Sequence, residues 1–384
     1  MSFGPGSPEI GPMNGSTDAL AGERQARLAV AMSGEGIDVL VVAGNAWRSD
    51  YLRFVAGVTV VEGQAFALIE REKPARLIIE SAAEAARFRV EQPGLAVSWE
   101  PSPIEAAENA IRALGAKRIA LAPFAAVPYR LAMGPLGSGI ARTTATLDRL
   151  MLRKSPAEIR AFRRAAALAD EGYAVFREAA RVGRPEYALV ADVEAFFRSR
   201  GCPENFQILG AGGKEVRGMH PPGERRLAPG DLVTTELTPC VDGYYAQICR
   251  TLVLGQPSEA QKRAFTVYNE ALERGIAAVR TGATAGDVAR AQNEVFRRHG
   301  LGDYVTSEYT RVRGHGLGLY VDGRPALLED VDLVLEPDMT LIVHPNTYHP
   351  EVGYFVHGDS VRVTPEGCEV LTRTPRELFS VPIA

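Results

Sequence analysis

Apolar and polar positions alternate in two distinct ways along this chain, and the change falls near its middle. Between about residues 21 and 150, short apolar runs are interleaved with amphipathic stretches. Arg24 to Ser33 has the spacing of an amphipathic helix, with Gly34 placed to stop it. Asp38-Val-Leu-Val-Val-Ala43 reads as a buried strand, and Ala65 to Ile69 and Arg76 to Glu80 read as further strands. Ile104 to Leu114 is helical, followed by the strand Arg118 to Ala122. This alternation predicts an α/β domain around a mixed or parallel sheet.

From residue 151 to 384 the order changes to helix pair, strands, helix pair, strands. Ser155-Pro-Ala-Glu158 is a capping box with Pro at the first helical position, opening a long helix to about Ala180. Glu186 to Arg200 is a second helix, stopped by Gly201. Strands follow from Gly230. Ser258-x-x-Gln261 and Thr284-x-x-Asp287 open another helix pair, which ends at His299-Gly300. Thr340 to Thr372 alternates like antiparallel strands. The order suggests an internal duplication, though the two halves show no convincing identity.

Composition narrows the partners. The 384 residues are 46% hydrophobic and 23% charged, with a net charge of −4. That balance gives no electrostatic case for nucleic acid or an anionic membrane, and no apolar run reaches a membrane helix's length. Met1 to Leu20 is rich in Gly, Pro and Ser and reads as a disordered tail without the layout of a signal peptide. Cys202, Cys240, Cys249 and Cys368 form no Cys-x-x-Cys pair, so the expectation is a reduced, cytoplasmic protein. Gly210-Ala-Gly-Gly213 reads as a loop with no helix after it, so it offers neither a phosphate loop nor a dinucleotide fingerprint.

The chemistry concentrates in short stretches. Gly218-Met-His-Pro-Pro-Gly223 precedes Pro229-Gly-Asp-Leu-Val233, then Glu236 to Thr251, which includes Asp242-Gly-Tyr and Arg250-Thr. Gly314-His-Gly-Leu-Gly-Leu319, Val343-His-Pro-Asn346 and Gly358-Asp-Ser-Val361 follow. In this order and spacing they resemble the creatinase/prolidase/aminopeptidase P superfamily over about residues 21 to 375. The resemblance implies a creatinase-type α/β N-terminal domain followed by an α+β pita-bread catalytic domain. It also implies a homodimer in which a partner's N-terminal domain covers the active site.

The metallopeptidases of that superfamily hold two divalent ions with two Asp, one His and two Glu. Carried over, these positions fall on Glu236, Gln247, His315, His344 and either Gly358 or His357. Formal ligand charge drops from about −4 to about −1, and an amide cannot bridge two hard cations as a carboxylate does. No dinuclear centre and no cofactor is therefore expected. Glu236, His315 and His344 remain as a two-His-one-carboxylate set that suits a single Zn²⁺ or Fe²⁺.

Creatinase cleaves a C–N bond without metal, and its proton-shuttling His falls on His220. The expected function is thus a metal-independent hydrolase of a non-peptide C–N bond in a small molecule, of amide, ureido or cyclic amidine type. His220 would serve as general base and then acid, with Glu236 and His344 as further catalytic groups. His315, Gln247, Cys249, His357, Asp322, Arg48 and Tyr245 are the candidate substrate contacts. Asp322 stands where the peptidases carry another His, and Arg48, beside Trp47 and Tyr51, would meet a substrate anion. Cys249 also invites a nucleophilic reading, against that of a small packed strand residue. The rivals are a mononuclear metal-dependent hydrolase or lyase, Xaa-Pro-peptidase-like, on Glu236, His315 and His344, and a catalytically inactive binding protein. Histidines at lost carboxylate positions argue against the last.

Overall fold

A computed structural model describes residues 17–71, 73–115, 118–133, 140–142 and 144–383. The chain divides into two compact units between Met151 and Leu152. No helix among the described residues is long and apolar enough to cross a membrane.

The first unit runs α1 (Thr17–Gly34), β1 (Val39–Asn45), α2 (Asp50–Ala56), β2 (Gln64–Glu70), β3 (Arg76–Ile79), α3 (Ala82–Glu91), β4 (Ala96–Trp99), α4 (Pro103–Ala113), β5 (Ile119–Ala122), α5 (Tyr129–Met133), β6 (Ile140–Arg142) and α6 (Thr144–Leu152). Its six strands lie in the order β4-β3-β2-β1-β5-β6, with both parallel and antiparallel pairs, so the sheet is mixed. The apolar run in β1 sits inside the sheet and is buried. Helix α1 corrects the expected tail, because it begins at Thr17. Leu20, Arg24, Leu28 and Met32, spaced four apart, form one buried stripe, and a stripe starting at Leu20 extends the helix toward the N-terminus. The rest of that expected tail, 1–16, lies outside the described residues.

The second unit opens with α7 (Pro156–Ala179) and α8 (Glu186–Ser199), then β7 (Asn205–Gly212), β8 (Leu232–Val241), β9 (Tyr244–Tyr245) and β10 (Ile248–Leu254). The second helix pair is α9 (Glu259–Ala278) and α10 (Ala285–Arg298). Strands β11 (Gly314–Gly316), β12 (Gly323–Ala326), β13 (Thr340–Val343), β14 (Thr347–His349), β15 (Gly353–Phe355), β16 (Gly358–Val363), β17 (Cys368–Val370) and β18 (Phe379–Val381) complete it. All three expected capping boxes are formed, at Ser155, Ser258 and Thr284. Ser155→Ala removes the acceptor for the Glu158 N–H and is expected to cost about 1 kcal/mol, read by chemical denaturation.

The large sheet runs β12-β11-β13-β16-β10-β8-β7, with β17 on β16, β18 on β10 and β9 on β8. Strand β7 carries Gly210 to Gly212, so the expected glycine loop is instead a strand laddered to Thr234, Val233 and Leu232. Sheet pairing overrode the glycine signal because Thr234 and Val216 crowd the space a side chain at Gly210 would need. Helices α7 and α8 pack on one large core with β8 and β10. Two smaller cores join α9 and α10 to the sheet. A buried ion pair ties two strands together. Arg250 on β10 donates to Asp359 Oδ1 of β16 at 2.7 Å and to the Gly358 and Thr374 carbonyls.

Candidate functional site

Strand register assembles the site. Glu236 on β8 lies opposite Cys249 on β10, and Cys249 lies opposite Gly358 on β16. Beyond Gly358 comes His344, immediately after β13: a Cβ built on Gly358 would sit 2.7 Å from His344 Cβ. Directly paired residues of neighbouring strands project to the same face, so these four positions form one row. His315, on β11, brings its ring to 5.5 Å from that of His344, edge to face. Gln247 lies two residues before Cys249 and reaches its sulfur with Nε2 at 3.5 Å.

The row is buried and nearly uncharged. Asn346 Nδ2 donates to Glu236 Oε1 at 2.6 Å, and Cys249 and Gln247 also hydrogen-bond the carboxylate. Burial outweighs these donors and pushes the Glu236 carboxyl up to about 7. His344 is held well below its ordinary value, first by burial and then by His315. His315 is lowered by burial, which outweighs Asp322, whose Oδ1 lies 3.6 Å from Nδ1. His315 Nδ1 lies 3.0 Å from the Gly316 carbonyl, and a carbonyl only accepts, so Nδ1 carries the hydrogen and Nε2 the lone pair. His344 Nδ1 is buried with no partner among the described residues. The Cys249 thiol is pushed well up by burial and by Glu236, so it remains protonated and is not the thiolate a nucleophile requires.

Several expected site residues lie elsewhere. His357 is buried on the opposite face, its Nε2 3.2 Å from Asn269 Oδ1 and its ring edge-on to Phe265. Alternation along the strand leaves only Gly358 facing His344, so His357 holds neither the last ligand position nor a substrate contact. His220 is half-exposed. Its Nδ1 faces the Pro221 carbonyl at 2.7 Å, and its Nε2 lies 3.9 Å from the buried Glu186 Oε1. Its backbone bridges Leu209 on β7 and its ring lies beside the start of α8; among the described residues no hydrogen bond joins it to Glu236 or His344. The Tyr245 hydroxyl bonds Glu204, which makes Tyr245 a packing residue of the core and not a substrate contact. Arg48 belongs to the first unit and pairs with Asp50 at 2.7 Å.

Asn346 was not among the expected site residues, although it ends the Val343-His-Pro-Asn346 stretch. It clamps Glu236 with its amide, accepts the His357 N–H at 3.1 Å, and its carbonyl receives Arg313 Nη1 at 2.9 Å. The motif's place in the sequence was the only signal, because an Asn in a loop usually serves a turn.

With this geometry in place, comparison with known proteins decides the kinship. Residues 160–365 match the family described as Metallopeptidase family M24. The chain belongs to metallopeptidase family M24. An uncharacterized peptidase, YqhT, of Bacillus subtilis is 27% identical over 90% of this chain and 96% of its own length. A Xaa-Pro dipeptidase of Pyrococcus furiosus is 29% identical over 60% of this chain and 66% of that protein. Among solved structures, the Xaa-Pro dipeptidase from Bacillus anthracis superposes with a TM-score of 0.81 at 25% identity, covering 94% of this chain and 99% of that one. This M24 chain therefore has the N-terminal domain and pita-bread C-terminal domain of the creatinase/prolidase superfamily, and it is a hydrolase by family.

The family's metal pair does not fit this M24 site. Gly358 supplies no donor, Gln247 no charge, and Glu236 the only carboxylate of the row. Among the described residues, no three His, Cys, Asp or Glu side chains are placed to hold an ion.

Proposed function

We propose that this chain hydrolyses the C–N bond of a short peptide or peptide-like amide without a two-metal centre. Kinship with Xaa-Pro dipeptidases over most of the chain supports this substrate class over the non-peptide substrate expected from creatinase. The observation that carries the metal-poor half is the row itself: one buried carboxyl poised near neutrality beside two uncharged imidazoles. In this reading Glu236 accepts a proton from the attacking water and returns it to the leaving nitrogen. A neutral His344 donates its ring N–H to the carbonyl oxygen as charge builds there. His315 Nε2, lone pair outward, accepts from the substrate's N–H.

A second reading has one observation in its favour. His344 Nδ1 is unpartnered, and with His315 and Glu236 it has the donor types that suit one Zn²⁺ or Fe²⁺, although the three side chains would have to draw together to hold it. The test is turnover of alanylproline with and without excess EDTA, alongside metal content of the protein and of His344→Ala. Turnover that survives EDTA with no stoichiometric metal is the expected result. One ion per chain, lost in the variant together with EDTA-sensitive activity, selects the second reading. Two ions per chain would overturn both. Failure to cleave any dipeptide sinks the peptide substrate and directs the search to small amides, ureido compounds and cyclic amidines.

A further inference from the structure

One cation of the second unit is fully buried, and no carboxylate among the described residues bonds it. Arg313 stands just before β11. Its Nε donates to Asn293 Oδ1, and its Nη1 donates to the carbonyls of Val312 at 3.0 Å and Asn346 at 2.9 Å. Its Nη2 has no partner among the described residues. The guanidinium carbon lies 5.4 Å from the centroid of the Phe296 ring. Burial draws Arg313 down to about 10, so it is still a cation at neutral pH. Such a charge is costly to bury, and every oxygen that receives it is neutral. A methionine would fill a similar length at less cost. What the guanidinium alone offers is a rigid plane of several donors that reaches two separate elements at once.

Helix α10 supplies the cradle, with Gln292, Asn293 and Phe296 on one face. Gln292 Nε2 donates to the Arg313 carbonyl at 3.0 Å. Asn293, which receives Nε, is fixed in turn by donating to Glu329 Oε1 at 2.9 Å, and Arg297 Nη2 bonds both oxygens of Glu329. From this cradle Arg313 holds the 344–346 turn at both ends. The His344 N–H donates to the Arg313 carbonyl at 3.1 Å, and the Asn346 carbonyl accepts Nη1. Between these points the Asn346 N–H closes the turn on the His344 carbonyl at 2.8 Å. The turn carries two parts of the site: the His344 ring, which faces His315, and the Asn346 amide, which grips Glu236 at 2.6 Å. An unbroken series of hydrogen bonds therefore joins α10 to Glu236 through Arg313 and Asn346.

We propose that Arg313 is a positioning residue: by fixing the 344–346 turn against α10, it sets the Asn346 amide and the His344 ring in register with Glu236. It touches no reacting atom in this role. That the row performs the reaction rests on the function proposed above; that Arg313 aims Asn346 does not.

The test follows hydrogen exchange of the Asn346 side-chain amide by NMR, in the full chain carrying isotope-labelled asparagine. Asn346→Ala assigns the signal. Asn205, whose amide donates to Glu194 Oε2 at 2.6 Å outside this network, is the internal control. Arg313→Met removes every donor. Arg313→Lys keeps the cation and should fold, but an ammonium lacks the fork that spans Asn293 and Asn346. In both variants the Asn346 amide should exchange at least about tenfold faster while Asn205 stays as in the wild type. A merely structural arginine would speed both together. On alanylproline, kcat should fall on the order of tenfold with KM within about twofold. The losses from Arg313→Met and Asn346→Ala should not multiply, because both act through one amide. Wild-type protection of Asn346 in either folded variant overturns the positioning role, and so does a freed amide with kcat unchanged. A freed amide in a chain whose wild type cleaves no dipeptide leaves the positioning role standing and sinks the peptidase reading.

Discussion

Glu236→Gln is expected to lower kcat/KM at least about a hundredfold, the scale of a lost acid–base group. His220→Ala should cost less than about tenfold, because its ring lies beside Glu186 and no hydrogen bond among the described residues joins it to Glu236 or His344. The comparison identifies which group moves the proton. Gln keeps an oxygen for the Asn346 amide, so the variant retains that bond and loses the proton chemistry. Stability should move the other way. The Glu236 carboxyl rises from 4.5 to about 7 on folding, so the folded chain holds its proton more tightly than the unfolded one. Below pH 4.5 both states are protonated and the group contributes nothing. As pH rises from 4.5 to about 7 the unfolded state ionises first, and folding loses up to about 3 kcal/mol. The Gln variant lacks this loss. With EDTA present, it should match the wild type near pH 4.5 and exceed it at pH 8, measured by denaturant melts. A wild-type pH profile of kcat/KM should rise through about 7. Equal activity of Glu236→Gln and wild type would remove Glu236 from the mechanism.

Much of this was legible in the sequence because it depends on local rules. The capping boxes at Ser155, Ser258 and Thr284 are four-residue patterns with one physical meaning, and all three form. Glu236, Gln247, His315 and His344 were placed by the resemblance to the superfamily's motifs, and the strands bring them together. The failures are of a different kind. Whether His357 or Gly358 faces the site is a question of strand parity, which a one-residue slip inverts. The direction of the His220 ring depends on its backbone bridge to Leu209, eleven residues away in the chain. The Gly210 stretch has glycines because Thr234 and Val216 fill the space above it, not because it turns. Asn346 gained its role from Glu236, 110 residues distant. Each miss concerns what a side chain meets across the sheet, and residue patterns along one strand do not contain that.

Gly358→Ala is expected to destabilise the protein by about 3 kcal/mol, because overpacking against fixed atoms has no inexpensive relief. The atoms a methyl would meet are His344 Cβ at 2.7 Å, the Val343 carbonyl oxygen at 2.8 Å and His344 Cα at 3.2 Å. Two of the three are main chain, and the other is the first side-chain carbon. His344→Ala therefore leaves the clash in place, and the double variant should show the same cost from Gly358→Ala as the wild type does. The melting temperature of the second unit should fall by roughly 6–12 °C in either background. A loss below 1 kcal/mol, or rescue by His344→Ala, would show that β13 can yield. The consequence reaches the chemistry. Gly358 is one of the two positions the family resemblance offered for the last metal ligand, and here Val343 and His344 lie across the space its side chain would need. Gly358→Glu is thus expected to unfold the site and not to gain an ion, as metal content of the purified variant would show. A carboxylate cannot simply be put back, because any side chain at Gly358 meets Val343 and His344 first. His344 and Gly358 therefore form one packing unit, and the row keeps Glu236 as its one carboxylate.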